Sequence, residues 1–343
     1  MEKEASMLQL GIIGAGRMGR VHIQGIVTGV PGARIRSIAA PHLRPEIQAL
    51  ARQVGAEILT EDYHEVLRDP KIDAVLVCSP TDTHAAISLE ALAAGKHVFC
   101  EKPVDLSLVK IQTVIDAASR SGVKYQVGFN RRFDHNFQAL HRAVQDGKIG
   151  SVQMVKICSR DSEPPTAKFV RSSGGLFLDM TVHDLDMVRF LSGCEVEEVY
   201  AAGSVLVDPA IGREGDVDTA AVVLRLRGGA LAVIDNSRQA VYGYDQRAEV
   251  FGSLGCVSME NDAPSTAVLA TADGICRQGP PWFFLERYLP AFQEEIRQFV
   301  YAVEHDSPVP VGGEDALKAT VLAIACTRSA QERRPVRLEE VSL

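Results

Sequence analysis

A doubly wound α/β domain followed by an α+β domain is the architecture this 343-residue sequence predicts. Three observations carry the prediction. Short apolar runs alternate with helical patterns over roughly the first 130 residues. A glycine-rich turn occupies the first strand-to-helix junction, and after Gly150 strand-like runs follow one another directly.

The runs LQLGII, RIRSIA, DAVLVC, KHVFCE and KYQVGF are apolar, and several are rich in β-branched residues, as buried strands require. Helical patterns lie between them, over Met18–Thr28, Arg44–Val54, Tyr63–Leu67, Thr83–Ala94 and Ser107–Arg120. Such alternation implies a parallel sheet covered on both faces. Beyond Gly150 come SVQMVKICSR, EVEEVYAAGSVLV, TAAVVLRLR, GALAVIDNSR, QRAEVFG and GCVSME. Gly228-Gly229 and Ser253-Leu254-Gly255 fall where hairpin turns belong. These strands predict a mainly antiparallel sheet with one inserted helix. A helical tail follows over Leu285–His305 and Glu314–Arg333. The domains are therefore expected at residues 1–130 and 131–343, closely joined because no low-complexity linker separates them.

Composition narrows the function classes. Hydrophobic residues make up 46% and charged residues 23%, the balance of a globular chain. Thirty-six basic against 44 acidic residues give a net charge of −8, which argues against nucleic acid or an anionic membrane surface as partner. Cys78, Cys100, Cys158, Cys194, Cys256, Cys276 and Cys326 are scattered, and no two form a C-x-x-C pair. They read as reduced thiols in a cytoplasm rather than as a zinc site or disulfide framework. The acidic start MEKEASMLQL lacks the basic region and long apolar run of a signal peptide, and no segment is apolar for the length of a membrane span. A cytoplasmic protein is the expectation.

The first motif is Gly14-Ala15-Gly16-Arg17-Met18-Gly19, between a strand and a helix. In such a loop the first glycine permits a tight turn and the second lets backbone approach a pyrophosphate. The third lets helix and strand pack closely, and the helix N-terminus supplies amide donors. With a strand before it, a helix after it and a βαβ unit following, the motif predicts a Rossmann dinucleotide-binding domain. One element departs from the NAD pattern. The second strand ends Ile38-Ala39-Ala40-Pro41-His42-Leu43-Arg44, with no carboxylate for the adenosine ribose. Two readings of Arg44 stand: it opens the next helix ahead of Pro45, or it meets a 2′-phosphate.

Ligands of doubly wound sheets sit at the carboxyl ends of strands. Two such ends carry polar groups: Ser79, Pro80, Thr81 and His84 after DAVLVC, and Glu101-Lys102-Pro103 after KHVFC. A lysine there is either a solvated terminus or a cation placed to stabilise negative charge on a substrate oxygen. The second-half stretch GGLFLDMTVHDLDMVRFL reads as a buried helix interrupted by Asp179, His183, Asp184 and Asp186. Asp179 and His183, four residues apart, share one helical face. They suit a satisfied core pair, two metal ligands or a catalytic pair; no third metal ligand is evident at suitable spacing. Asp184 and Asp186 are expected on the helix surface or behind the site.

GAGRMG, EKP at 101–103, GFNRRFD at 128–134 and GGLFLDMTVHDLDM together resemble the Gfo/Idh/MocA family of nicotinamide-dependent oxidoreductases, across essentially the whole chain. SRD at 159–161, GSVLVDPAIGREGDVDTA at 203–220 and IDNSRQAVYGYDQR at 234–247 resemble its inositol 2-dehydrogenase branch. The resemblance implies a second domain with a large, open-faced sheet that binds substrate and builds a homotetramer. It also implies that Lys102, Asp179 and His183 are catalytic. Chemistry agrees: histidine, titrating near neutrality, is a natural base for a hydroxyl proton. Asp179 would hold and stabilise the imidazole, and Lys102 would stabilise charge on oxygen. The expected cofactor is NAD, with NADP tolerated, held by Gly14, Gly16, Arg17, Met18, Gly19, Ala40, Arg44, Ser79, Thr81, His84, Glu101 and Lys102. Lys102, Asn130, Arg132, Asp161, Asp179, His183, Asn236 and Tyr242 are the candidates for a hydroxyl-rich ring. Trp282 either walls the site or packs. The implied reaction is oxidation of myo-inositol to 2-keto-myo-inositol. Alternatives are a scyllo-inositol or aldose-sugar dehydrogenase, or a non-catalytic dinucleotide-binding regulator. No metal is expected.

Overall fold

Gly14 holds a left-handed φ of 100°, and a β-carbon there would lie 2.6 Å from the backbone of Cys78 and Ser79. Only glycine permits that approach, and it joins the first strand of the molecule to the fourth. The computed structural model describes residues 7–341. In the first half, strands β1 (Leu8–Ile13), β2 (Ala33–Ala39), β3 (Ile58–Thr60), β4 (Ala74–Val77), β5 (His97–Glu101) and β6 (Tyr125–Gly128) alternate with helices α1 (Arg17–Gly29), α2 (Pro45–Val54), α3 (Tyr63–Arg68), α4 (Thr81–Ala93) and α5 (Leu108–Ser121). The strands form one parallel sheet in the order β3-β2-β1-β4-β5-β6. The order reverses direction between β1 and β4, where doubly wound sheets bind ligands. Strand β3 was missed in the sequence because three residues are too few to show a period.

Burial follows the pleat. Leu8, Leu10 and Ile12 of β1 pack with Ile23 and Ile26 of α1 and Ile47 and Ala51 of α2. Gly11 points to the opposite face, where a β-carbon would strike Val66 of α3. Both faces are therefore covered, and β4 (AVLV) is buried along its whole length.

The second half begins with α6 (His135–Gln145), capped by Asp134, whose carboxylate accepts from the amides of Asn136 and Phe137. Then come β7 (Val152–Arg160), α7 (Ala167–Ser173), a π-helical turn at Phe177–Thr181, α8 (Val182–Ser192), β8 (Val196–Ser204), α9 (Pro209–Arg213), β9 (Thr219–Leu226), β10 (Leu231–Ser237), β11 (Asp245–Gly252), β12 (Gly255–Met259) and a hairpin of β13 (Val268–Thr271) and β14 (Gly274–Arg277). Helices α10 (Phe284–Glu304) and α11 (Gly313–Glu332) and the short β15 (Val336–Arg337) complete the chain. The large sheet has the order β12-β11-β7-β10-β9-β8-β15. It is antiparallel except where β7 and β10 run parallel. The expected single inserted helix is corrected to several. Helices α7 and α9 are one or two turns long and leave little periodic trace, and α6 precedes the first strand.

One face of this sheet is buried by Val155, Ile157, Val222, Leu224, Ile234 and Val250. The other face carries exposed apolar side chains: Tyr200 lies opposite Val223, Val223 opposite Val233, and Phe251 is exposed on β11.

The chain divides into two compact units, residues 1–133 with 289–318 and residues 134–288 with 319–343. This differs from a single crossing after residue 130. The physical reason lies in α10: its Ile296, Phe299 and Val300 belong to the core beneath β1, β2 and β4. Pro290 stands inside α10 next to the point where the units divide.

A buried polar cluster in the first unit was not foreseen. His22 of α1 and the Glu101 carboxylate lie 2.6 Å apart, and Glu295 of α10 lies 3.9 Å from the same nitrogen. Among the described residues these three form the one His/acid grouping with the spacing of a metal site, their ligand atoms lying within 4.8 Å of one another. A proton accounts for the geometry equally well. Burial, and then the charge of Glu101, push the Glu295 carboxyl well above its usual 4.5, so it is held neutral. Neither Glu295 oxygen has a hydrogen-bond partner.

Folding therefore favours protonated Glu295. Its burial carries no pH-dependent cost below about pH 4.5 and destabilises increasingly as pH rises toward the displaced value. Glu295→Gln should melt at or above the parent temperature near neutrality and lose this part of the decline between about pH 5 and 8. Thermal melts across that range check it; a variant that melts well below the parent at every pH would show Glu295 ionised and required.

Candidate active site

The turn between β1 and α1 has the form of an anion cradle. Helix α1 begins at Arg17 with Gly16, which has no side chain to cap it, at its N-cap, and no acid lies in its first turn. A β-carbon on Gly16 would meet nothing within 4 Å, so the protein itself does not demand glycine there. Gly19 is different: its Cα faces the Gly14 carbonyl with no room for a side chain. Open space above exposed amides beside a tight strand–helix contact is the arrangement a pyrophosphate fits. Arg17 is exposed and Met18 half-buried on the first turn.

At the end of β2, Ala40 is buried and its amide donates to the Thr60 carbonyl at 3.0 Å. Arg44 is exposed and caps α2, and His42 is exposed beside it. A carboxylate does stand near this loop: Glu61 accepts from the Leu43 amide at 3.3 Å. It reaches the loop from the far end of β3, which no spacing rule within the β1–α1–β2 unit could reveal.

Two strand ends are tied together by His84. Its Nδ1 contacts the Pro103 carbonyl at 2.8 Å and its Nε2 the Ser79 carbonyl at 2.7 Å. Burial opposes charge on this ring but is outweighed by the Cys100 sulfur and the two carbonyls, and its pKa is pushed up to about 9. At neutral pH it carries both protons and donates both. The His84 ring, expected beside the cofactor, is a buried strap between the two loops. Ser79 Oγ pairs with Thr83 Oγ1 at 2.6 Å, and Thr81 opens α4 half-buried. Glu101 is likewise committed, to His22 and to the Lys102 amide at 3.2 Å. Lys102 is half-buried and precedes a cis peptide bond to Pro103.

Further along the first unit, Asn130 and Arg132 lie in a buried 3₁₀ turn. The Arg132 guanidinium donates to Asp315 at 2.8 Å and to the Pro310 carbonyl at 3.5 Å. Expected at the substrate, it is ion-paired with Asp315 inside its own unit.

In the second unit, Asp179 sits on the π-helical turn and His183 on the first turn of α8. The simple helix expected over this stretch is thus widened by a π turn at Asp179, a feature common at functional sites. Asp216 anchors its start, accepting from the Leu176 amide at 3.0 Å. Both Asp179 and His183 are half-buried. Asp179 Oδ2 accepts from Arg238 Nη1 at 3.0 Å, and Asp161 Oδ2 accepts from the same nitrogen at 3.2 Å. Arg238 was not among the sequence candidates. Its signal was its place two residues after the candidate Asn236, in the 234–247 stretch.

Asp184 and Asp186, expected on the helix surface or behind the site, are fully buried. Asn236 explains the first. Its amide donates to Asp184 at 2.9 Å and accepts from Thr181 Oγ1 at 2.6 Å. Expected to face substrate, it instead braces β10 against the helix that carries His183. Asp186 lies 3.7 Å from Arg189. Tyr242 is half exposed; its hydroxyl donates to Asp245 at 2.6 Å and accepts from Arg160 at 3.1 Å. Trp282 is 47% exposed, so it is not a core residue.

Comparison with known proteins follows the same division. A family model described as "Oxidoreductase family, NAD-binding Rossmann fold" matches residues 8–129, and the GFO/IDH/MocA C-terminal domain matches residues 137–258. The chain is 46% identical over 334 residues to a myo-inositol 2-dehydrogenase of Thermotoga maritima, covering 97% of this chain and 99% of that protein. It is 44% identical over 331 residues to an inositol 2-dehydrogenase of Rhizobium meliloti, covering 96% and 99%. The crystal structure of scyllo-inositol dehydrogenase from Lactobacillus casei with bound NAD(H) and scyllo-inositol superposes with a TM-score of 0.90, at 30% identity, covering 97% of this chain and 99% of that one. No helix among the described residues is long and apolar enough to cross a membrane, and all seven cysteines are free.

Proposed function

Because the chain belongs to the GFO/IDH/MocA oxidoreductase family, with an NAD-binding Rossmann fold in its first half, we propose that it oxidises a cyclic polyol, myo-inositol to 2-keto-myo-inositol, in the cytoplasm. The observation that carries this reading is the likeness to two inositol 2-dehydrogenases along nearly the whole of both chains. Bound NAD accepts the hydride released from the carbinol carbon. The protein's part is to hold reactants and move the proton.

The residues divide that work. The Gly14–Gly19 turn and the N-terminus of α1 would hold the pyrophosphate. Lys102 stabilises negative charge on the substrate oxygen as its proton leaves. His183 takes the hydroxyl proton, and Asp179 stabilises the imidazolium that results. Asp161 and Tyr242 accept from ring hydroxyls. Lys102, Asp179 and His183 are all retained, which favours an enzyme over a non-catalytic dinucleotide-binding regulator.

Nicotinamide absorbance with a polyol panel, run with NAD and with NADP, tests the reading. NADH formation with myo-inositol or scyllo-inositol is expected, and an inert panel would reject it. His183→Ala should cut turnover by about two to four orders of magnitude with cofactor affinity nearly unchanged. Lys102→Met should lower the rate at every pH, whereas loss of the base flattens the acidic limb. Activity of either variant within a few fold of the parent would remove that residue from the chemistry.

NADP should be tolerated, since Ala40 offers a 2′-phosphate no opposing charge and Arg44 and His42 are exposed nearby. Ala40→Asp should tighten NAD binding by about 1–2 kcal/mol, the scale of hydrogen bonds to a charged group, and suppress NADP. Steady-state kinetics with both cofactors decide this. A parent already blind to NADP would assign the exclusion elsewhere, with Glu61, which accepts from the Leu43 amide, the first candidate.

The chain is further proposed to form a homotetramer through the open sheet face. Tyr200, Val223, Val233 and Phe251 make an apolar surface there that a solvated sheet would not keep. Val233→Asp should dissociate the assembly in light scattering after gel filtration. An unchanged mass would move the interface elsewhere.

A further inference from the structure

Arg238 follows β10 directly, and its backbone is pinned by a 2.8 Å bond from its amide to the Asp218 carbonyl. Asp218 is itself a buried loop anchor, accepting from the amides of Leu206, Val207 and Asp208. The Arg238 side chain is 4% exposed, and its Nη1 alone makes both carboxylate bonds, to Asp179 and to Asp161. Its Nη2 is buried with no hydrogen-bond partner. A saturated structural ion pair would use both nitrogens, whereas this one leaves a costly orphan donor.

We propose that Arg238 is a positioning residue, clamping Asp179 against Asp161 and so setting the carboxylate that assists His183. This rests on the roles given above to Asp179 and His183. The sheet side of the clamp is rigid. The Asp161 amide donates to the Ser237 carbonyl at 2.9 Å, and its carbonyl accepts from the Ala240 amide at 2.6 Å. Asp161 therefore cannot move without the end of β10. Asp179 is the member carried by a π turn rather than a regular helix, and Arg238 decides where its carboxylate points. The two Oδ2 atoms bind one nitrogen, so they are no farther apart than about 6 Å and repel without a cation between them. Burial opposes charge on the guanidinium, but the Asp179 and Asp161 carboxylates outweigh it and hold it protonated.

The experiment compares Arg238→Met, Arg238→Lys, Asp179→Asn and the double variant Arg238→Met/Asp179→Asn. It reads kcat and KM for myo-inositol oxidation, with NADH binding by fluorescence to count competent sites. Arg238→Met should lose about 100-fold in kcat per site, the scale of a misplaced catalytic group, with NADH affinity within two-fold of the parent. Arg238→Lys keeps the cation and should recover to within about ten-fold of the parent. The double variant should be no slower than Asp179→Asn alone, because Arg238 acts through Asp179. Losses that multiply, or an Arg238→Met enzyme with parental kcat per site, overturn the clamp. If Arg238→Met does not fold, Arg238→Lys alone and combined with Asp179→Asn gives the same additivity test. A parent that reduces no NAD with any polyol overturns the functional reading, and the clamp with it.

Discussion

Backbone meets backbone at the glycine turn, and the first unit is arranged around that contact. Gly14 lies against the end of β4 and Gly19 against the Gly14 carbonyl, with no room for a β-carbon at either position. Strand β1, helix α1 and strand β4 are thereby drawn to one point, the place where the strand order reverses. The strand ends that carry Ser79 and Lys102 open beside it because β4 pairs with β1 and β5 with β4. His84 then joins these two ends through their carbonyls, and His22 joins Glu101 to the helix that starts at the turn. A rigid cofactor platform follows from packing before any ligand contact is invoked.

The second unit reaches rigidity by another route, a run of carboxylates, buried at Asp184 and Asp218 and half-buried at Asp216, each with assigned donors. Asp216 caps the helix start, Asp218 closes the 206–208 loop and Asp184 receives Asn236. Each replaces water with fixed amides or side chains, which keeps a buried charge tolerable. Asp161 and Asp179 differ in sharing one arginine while staying partly exposed. Those two carboxylates retain contact with whatever enters from solvent, whereas Asp184 and Asp218 are fully buried.

Legibility in the sequence tracked burial and length. The five longer strands of the first sheet and the glycine turn were readable because their periods and spacing are set locally. So was the D-x-x-x-H pair. The three-residue β3 and the two-residue β15 carry no period, and the β13–β14 hairpin is exposed throughout, so no burial pattern marks it. The membership of α10 in the first unit was hidden because its partners lie far away in sequence. The same limit explains the site. Arg238, Asp216 and the His22–Glu101–Glu295 cluster act through contacts across long separations, which spacing arguments cannot see. Asn130, Arg132 and Asn236 look like ligand groups in a motif yet are buried, Arg132 and Asn236 with their side chains bonded inside their own units.

The central claim is direct hydride transfer from a cyclitol carbinol carbon to nicotinamide, and isotope tracing tests it most directly. The protein would be incubated with NAD and myo-inositol deuterated at the carbon bearing the axial hydroxyl, and the NADH formed examined by proton NMR. The account predicts one deuterium at C4 of the dihydronicotinamide, on a single face, with 2-keto-myo-inositol as product. Absence of NADH, or NADH carrying no deuterium at C4, would contradict it.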